Sequence, residues 1–263
     1  MTAGEGGIGL PQMSEEEVFS MLLSEDIDRG DSEPAIAAGI GEQMLHMSLR
    51  PLPRSMRARI RDISGRIPAK NAVLIGGGIG HLSAWLLDMW CGDPANPPET
   101  PLPKPNSFRI IEQGGKFGVI IDRLIRRHGA EGWTQVIQMP WNEVAAEAAT
   151  WSVATAALPQ NAQPSPLPLP IDLIVVDVPE DERPSTAKSA FDLLSSGGVL
   201  LAQEPEVPTG DVGVADSPSE MTPAQKKVES FNEWISFVKE VSENHSLGFV
   251  ELTGGTLAVL RRT

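Results

Sequence analysis

The residues best placed to do chemistry gather around a glycine turn. Gly76-Gly77-Gly78-Ile79-Gly80 follows the apolar run Ala72-Val73-Leu74-Ile75 and opens a helix-like segment. Glycines at a strand-to-helix turn let the backbone bend sharply and approach a ligand closely. Glu112 closes the next apolar run, where an acidic side chain can hold both hydroxyls of a ribose. It lies 34 residues after Gly78, against the roughly 20 expected, and the proline-rich stretch 92–106 accounts for the excess. His81, directly after the turn, is placed either to touch a cofactor and act as a base, or to stand as a surface residue at a helix start. Taken alone, the turn permits nicotinamide, polyamine or methyl-transfer chemistry.

The elements that must position these residues alternate from Asn71 onward. Strand-like runs fall at 72–75, 107–111, 134–138, 171–176 and 198–202, with helix-like segments at about 80–90, 116–128, 142–151 and 184–195. Short apolar strands separated by helices predict right-handed crossovers and a parallel sheet covered on both faces. The stretches 92–106 and 159–170 are proline-rich and read as surface insertions, because the alternation resumes after each. Thr222-Pro223-Ala224-Gln225 is a strong helix start, and that helix runs to about Asn244. Leu247–Leu252 and Thr256–Arg261 follow, joined by Thr253-Gly254-Gly255, a connection so short that it makes an antiparallel hairpin.

The first 70 residues read differently. Residues 1–13 are glycine-rich, and Ser14 with Glu17 forms a capping box for a short helix through about Ser24. A second helix spans Ala35 to Leu49, ended by Pro51 and Pro53. Arg54 to Ile67 is amphipathic, with Met56, Ile60, Ile63 and Ile67 in one stripe and Arg54, Arg57, Arg59, Arg61 and Arg66 on the other faces. Those arginines read either as a solvated face paired with acidic neighbours or as a docking surface for an anionic part of a substrate.

Composition sets the outer bounds. The chain of 263 residues carries a net charge of −14, which argues against a general nucleic-acid or anionic-membrane binder. The single cysteine, Cys91, excludes an internal disulfide framework and a cysteine-based metal site, and there is no tyrosine. His46, His128 and His245 show no metal spacing. With no apolar run near the roughly 18 residues of a membrane span and no signal-type start, a cytoplasmic location is expected.

With these pieces assembled, the chain resembles class I S-adenosylmethionine-dependent methyltransferases, and among them the catechol and caffeoyl-CoA O-methyltransferase family. The resemblance is carried by VLIGGGIG (73–80), RIIE (109–112), IDLIVVD (171–177), LLSSGGVLLA (193–202), Phe231-Asn232 and the ending GGTLAVLRR (254–262). It implies an α/β fold, a Rossmann-like doubly wound sheet of five parallel strands plus a C-terminal antiparallel hairpin. Residues 71–263 would form the S-adenosylmethionine-binding domain and 1–70 an N-terminal helical extension. Gly76, Gly78, Gly80, Glu112 and Asp177 would hold the cofactor, with Met139 and Trp141 against the adenine. The implied activity is O-methylation of a small-molecule hydroxyl, with Asp177, Glu180, Glu204 or His81 as general base where no metal serves, and the implied assembly is a homodimer. Many members of the family also use a divalent metal, usually magnesium. The metal positions fall here on Asp177, Gln203 and Glu204, where the family has two aspartates and an asparagine.

Other departures stand out. An acidic residue before the glycine turn usually steadies the cofactor's amino-acid end, and here that position is Leu74. The family's lysine three residues after Asp177 is replaced by Glu180. The loop 205–221, with Asp211 and Asp216, leaves the ligand-binding edge of the fifth strand and is placed to cover the acceptor. Two rival readings follow. Gly197–Gln203 also resembles the GGVLxAQ strand of spermidine synthase, an aminopropyltransferase. The altered positions also suit a non-catalytic relative that keeps the fold as a binding module.

Overall fold

A computed structural model describes residues 13–25, 32–99, 102–154, 165–210 and 221–263. Three helices precede the first strand: α1 (Glu15–Leu23), α2 (Ala35–His46) and α3 (Arg54–Ser64). Then β1 (Asn71–Ile75), α4 (His81–Cys91), β2 (Ser107–Ile111), α5 (Gly115–Arg127), β3 (Thr134–Ile137), α6 (Trp141–Ala154), β4 (Ile171–Val176), α7 (Arg183–Phe191) and β5 (Leu194–Gln203) alternate. The chain closes with α8 (Pro223–Asn244), β6 (Ser246–Leu252) and β7 (Gly255–Arg261). The seven strands lie in the order β3-β2-β1-β4-β5-β7-β6. The first five strands are mutually parallel, and β7 runs antiparallel to both β5 and β6.

Strand alternation divides the core in two. Ala72 and Leu74 of β1 face one side, with Met56, Ile60 and Ile63 of α3 and the apolar residues of α4 and α5. Val73 and Ile75 face the other side, with Val144 of α6, Ala187 of α7 and Trp234 and Phe237 of α8. The strand order reverses between β1 and β4, and this switch point sets the ligand edge at the carboxyl ends of the central strands. Both expected capping boxes form, Ser14 with Glu17 on α1 and Thr222 with Gln225 on α8. Among the described residues no helix is long and apolar enough to cross a membrane.

Two local expectations change. Helix α7 ends at Phe191 and β5 begins at Leu194 rather than 198. Leu194 pairs with Ile171 and Val199 with Leu173, so the intervening residues bulge out, with Gly197 at a φ of 80°. The other change is α3, which is no solvated face: Arg57, Arg59 and Arg61 are all buried. Arg59 Nη1 donates to Asp62 at 2.5 Å and to Ser24 O at 3.0 Å, and Arg66 Nη2 donates to Asp62 at 3.0 Å. The Arg57 and Arg61 guanidiniums lie over the Trp85 ring of α4, 5.2 and 4.9 Å from its centroid. These cations brace the segments around α1 and α2 against α3 and α4, where their stems pack and their heads are hydrogen-bonded.

Candidate active site

At the carboxyl end of β1 the chain must leave the sheet and enter α4 within a few residues. Gly76 and Gly78 take φ values of 92° and 51°, the left-handed region that side chains disfavour. Gly77 is needed for a different reason. A Cβ there would stand 2.7 Å from Ile121 Cδ1 and 2.8 Å from Ile110 Cγ2, so α5 and β2 press directly on this backbone. A Cβ on Gly78 would meet nothing within 4 Å, because that side opens into a cavity. Gly80 caps α4 against Leu124 of α5 and stays outside the cavity lining.

The cavity measures about 610 Å³, within the range of roughly 300–1,000 Å³ usual for small-molecule sites. Gly76, Gly78, His81, Glu112, Met139, Trp141, Asp177, Glu180 and Gln203 all line it, so most of the sequence-derived candidates converge on one cleft. Glu112 is buried at the end of β2. Its Oε2 accepts the Gly78 amide at 2.6 Å and its Oε1 accepts the Gly114 amide at 2.7 Å. Trp141 opens α6, and its indole donates to Ser189 Oγ of α7 at 2.9 Å, which fixes the ring at the cavity wall. Asp211 and Asp216 lie outside the described residues.

Asp177 follows β4 and looks into the cleft, where it keeps partial access to solvent. Burial pushes its carboxyl up to about 6, against the opposing pull of Arg183 and then Arg57. His81 is buried, with Nε2 at 2.5 Å from Arg57 Nη1 and 3.2 Å from Glu33 Oε1. Burial, and then the adjacent Arg57 charge, hold the imidazole below its ordinary range, while Glu33 pulls the other way. His81 therefore stands neutral at neutral pH and can accept from Arg57.

No family model and no curated protein matches the chain. Solved structures do. An O-methyltransferase of Bacillus cereus in complex with SAH is 14% identical, with a TM-score of 0.61 over 94% of this chain and 96% of that one. The O-methyltransferase TomG of Streptomyces achromogenes, in complex with SAM, is 17% identical, with a TM-score of 0.59 over 93% and 94%. The SAH-bound methyltransferase PaMTH1 of Podospora anserina is 15% identical, with a TM-score of 0.57 over 97% and 98%. The chain has the methyltransferase fold.

Within the methyltransferase fold, the expected metal set does not fit. Gln203 and Glu204 are consecutive at the end of β5 and point to opposite faces of the sheet. The Gln203 amide donates to Gly254 O at 3.3 Å, and Glu204 Oε1 accepts from the Trp234 indole at 3.4 Å on the α8 side. Glu204 does not line the cavity with Asp177. The acidic position before the turn is filled by Leu74, fully buried among apolar side chains.

Of two further cavity residues, Arg57 reads in sequence only as one of an arginine cluster, and Arg183 is not singled out. Arg57 donates through Nε to Leu52 O at 3.0 Å and through Nη1 to Glu33. Arg183 donates through Nη1 to Gln203 O and through Nη2 to Val178 O, each at 3.2 Å. A signal for Arg183 was available: it begins a helix, where a cation opposes the helix dipole and so needs another reason to be there.

Proposed function

We propose that this protein is an S-adenosylmethionine-dependent methyltransferase that methylates a small-molecule hydroxyl. One observation carries the reading: the Glu112 carboxylate is joined to the Gly78 amide at 2.6 Å, on the floor of a cavity that a methyltransferase fold opens at its strand ends. When bound, S-adenosylmethionine supplies a methyl group on a sulfonium already activated for displacement. The protein's task is then to position and to exclude water.

The side chains fit that ligand. Each Glu112 oxygen accepts one backbone amide and keeps lone-pair capacity for a ribose hydroxyl. Gly76 and Gly78 let the ligand lie against bare backbone. Met139 and Trp141 offer apolar surface to a base. With Leu74 in place of the family's acid, Arg57 lines the cleft in contact with His81 of α4, a cation suited to the carboxylate of the amino-acid end. Asp177, with a pKa of about 6, is the general base that takes the acceptor proton once ionised.

The segment 1–70 supplies a wall of the same cleft through Met44, Leu49, Arg50 and Leu52, so we assign that wall to acceptor selection, and cofactor binding to 71–263 with Arg57 as the one addition. A homodimer and a cytoplasmic location complete this reading, and sedimentation velocity tests the first.

Calorimetry with the full chain decides the matter. S-adenosylmethionine and S-adenosylhomocysteine are both expected to bind. Binding of decarboxylated S-adenosylmethionine in preference to the intact cofactor would favour aminopropyl transfer, and binding of none of the three would sink the enzyme reading.

A further inference from the structure

Arg183 is the first residue of α7, and its side chain runs back beneath the cleft. It is 8% exposed. Its two hydrogen bonds reach the carbonyl that ends β5 and the carbonyl of Val178 just beyond β4, so the guanidinium bridges two central strands at their ligand edge. A guanidinium has five N–H donors, and these bonds use two of them. Nε is buried without a partner.

Asp177 lines the same cavity, close enough for Arg183 to act on its charge. Among the described residues, however, no ion pair joins the two. A carboxylate and a cation that face one cavity without closing on each other leave a place for a group that engages both. A hydroxyl does so, as donor to the carboxylate and acceptor from the guanidinium.

We propose that Arg183 is the fixed cation of the acceptor site, in the role the family resemblance gives to a divalent metal, and that the acceptor is a hydroxyl ionised between Asp177 and Arg183. The inference rests on the methyl-transfer reading of the cleft. In the proton step the acceptor O–H bond breaks, the proton passes to an Asp177 carboxylate oxygen, and both bonding electrons stay on the acceptor oxygen, whose charge faces Arg183. The divergent side chains of Gln203 and Glu204 break the expected metal set around Asp177, and a guanidinium beside it repels a cation. A substrate class follows. A metal grips two vicinal oxygens, whereas this pair needs only one, so the acceptor is a phenol-like or enol-like compound with a single acidic hydroxyl.

The test uses full-length protein loaded with S-adenosylhomocysteine and titrated with 4-nitrophenol, whose absorption reports ionisation directly. Wild type is expected to bind the probe as its phenolate at neutral pH, with the band unchanged by a chelator or by millimolar magnesium. Arg183→Gln is expected to bind S-adenosylhomocysteine as wild type does and to bind the phenolate at least ~10-fold more weakly. Arg183→Lys, which keeps the charge, should recover part of the band. A band that depends on magnesium, one that survives in Arg183→Gln, or no phenolate in wild type would each overturn the inference. If Arg183→Gln does not fold, the chelator arm and Arg183→Lys still decide it. Loss of S-adenosylhomocysteine binding by wild type is a distinct result: it removes the methyl-transfer reading and the inference with it.

Discussion

The Gly78 amide donates to Glu112 Oε2 at 2.6 Å, tying the turn after β1 to the end of β2 across 34 residues of sequence. The same carboxylate holds the Gly114 amide at the start of α5. Glu112 thus shapes the cleft as well as facing it. Glu112→Ala leaves two amides short of their acceptor, at a cost of about 1–3 kcal/mol in stability. Glu112→Gln keeps the length but turns an amide donor toward a backbone N–H. We expect calorimetry with S-adenosylhomocysteine to show affinity at least ~10-fold weaker for Gln and weaker still for Ala. Wild-type affinity in both would remove Glu112 from the cofactor site.

Neighbouring glycines should fail in different ways. In Gly77→Ala the new methyl meets Ile121 and Ile110 below 3 Å, so the variant is overpacked and should lose about 1–3 kcal/mol. In Gly78→Ala the methyl has open space, and the left-handed backbone costs roughly 1–2 kcal/mol. That methyl projects into the cleft, so its larger effect is on ligand affinity. Thermal melts with and without S-adenosylhomocysteine separate the two: Gly77→Ala keeps a ligand-induced rise in Tm that Gly78→Ala loses.

Asp177 links activity and stability to pH in opposite directions. Its carboxyl ordinarily titrates at 3.8 and here at about 6, so the native protein holds a proton that the unfolded chain has released. Stability therefore falls as pH rises from about 4 to 6, by roughly 3 kcal/mol at most. Activity as a general base rises over the upper part of the same window. Asp177→Asn should abolish the limb near pH 6 in the pH–rate profile and raise Tm at pH 7, with little change at pH 4. An unchanged limb would assign the base to another group.

The fold was legible because its signals are local. Apolar runs, the Thr222 cap and the short Gly254-Gly255 connection placed nearly every element within a few residues. The start of β5 was not legible, because Leu194 joins the strand only through pairing with Ile171, and the bulge at Gly197 hides that from any local period. The site divides along the same line. Gly76, Gly78 and Glu112 announce themselves by type and position. Arg57 and Arg183 carry meaning only through contacts made at a distance, with His81 in one case and the Gln203 carbonyl in the other. Gln203 and Glu204 satisfy a count of oxygen ligands, yet strand alternation sends them to opposite faces.

Arg57 joins three parts of the molecule, and its removal should be felt in both stability and pH response. Its guanidinium pairs with Glu33 before α2, contacts His81 at 2.5 Å and lies over Trp85. Arg57→Met keeps much of the stem and deletes the charge. Glu33 is then left without its cation, but its side chain is 23% exposed, so the cost sits near the lower end of the roughly 3–5 kcal/mol for breaking a buried pair. His81 provides the second readout. Its ordinary value is 6.5, and burial followed by the Arg57 charge lowers it in the native protein. The unfolded chain then takes up a proton more readily, so stability is lost as pH falls below 6.5. Without Arg57 its repulsion disappears and Glu33 pulls against burial alone, so the His81 pKa rises and the acid loss shrinks. Urea melts of wild type and Arg57→Met between pH 5 and 8 should therefore converge toward acid. Parallel curves across that range would mean that Arg57 braces the fold without setting the charge state of His81.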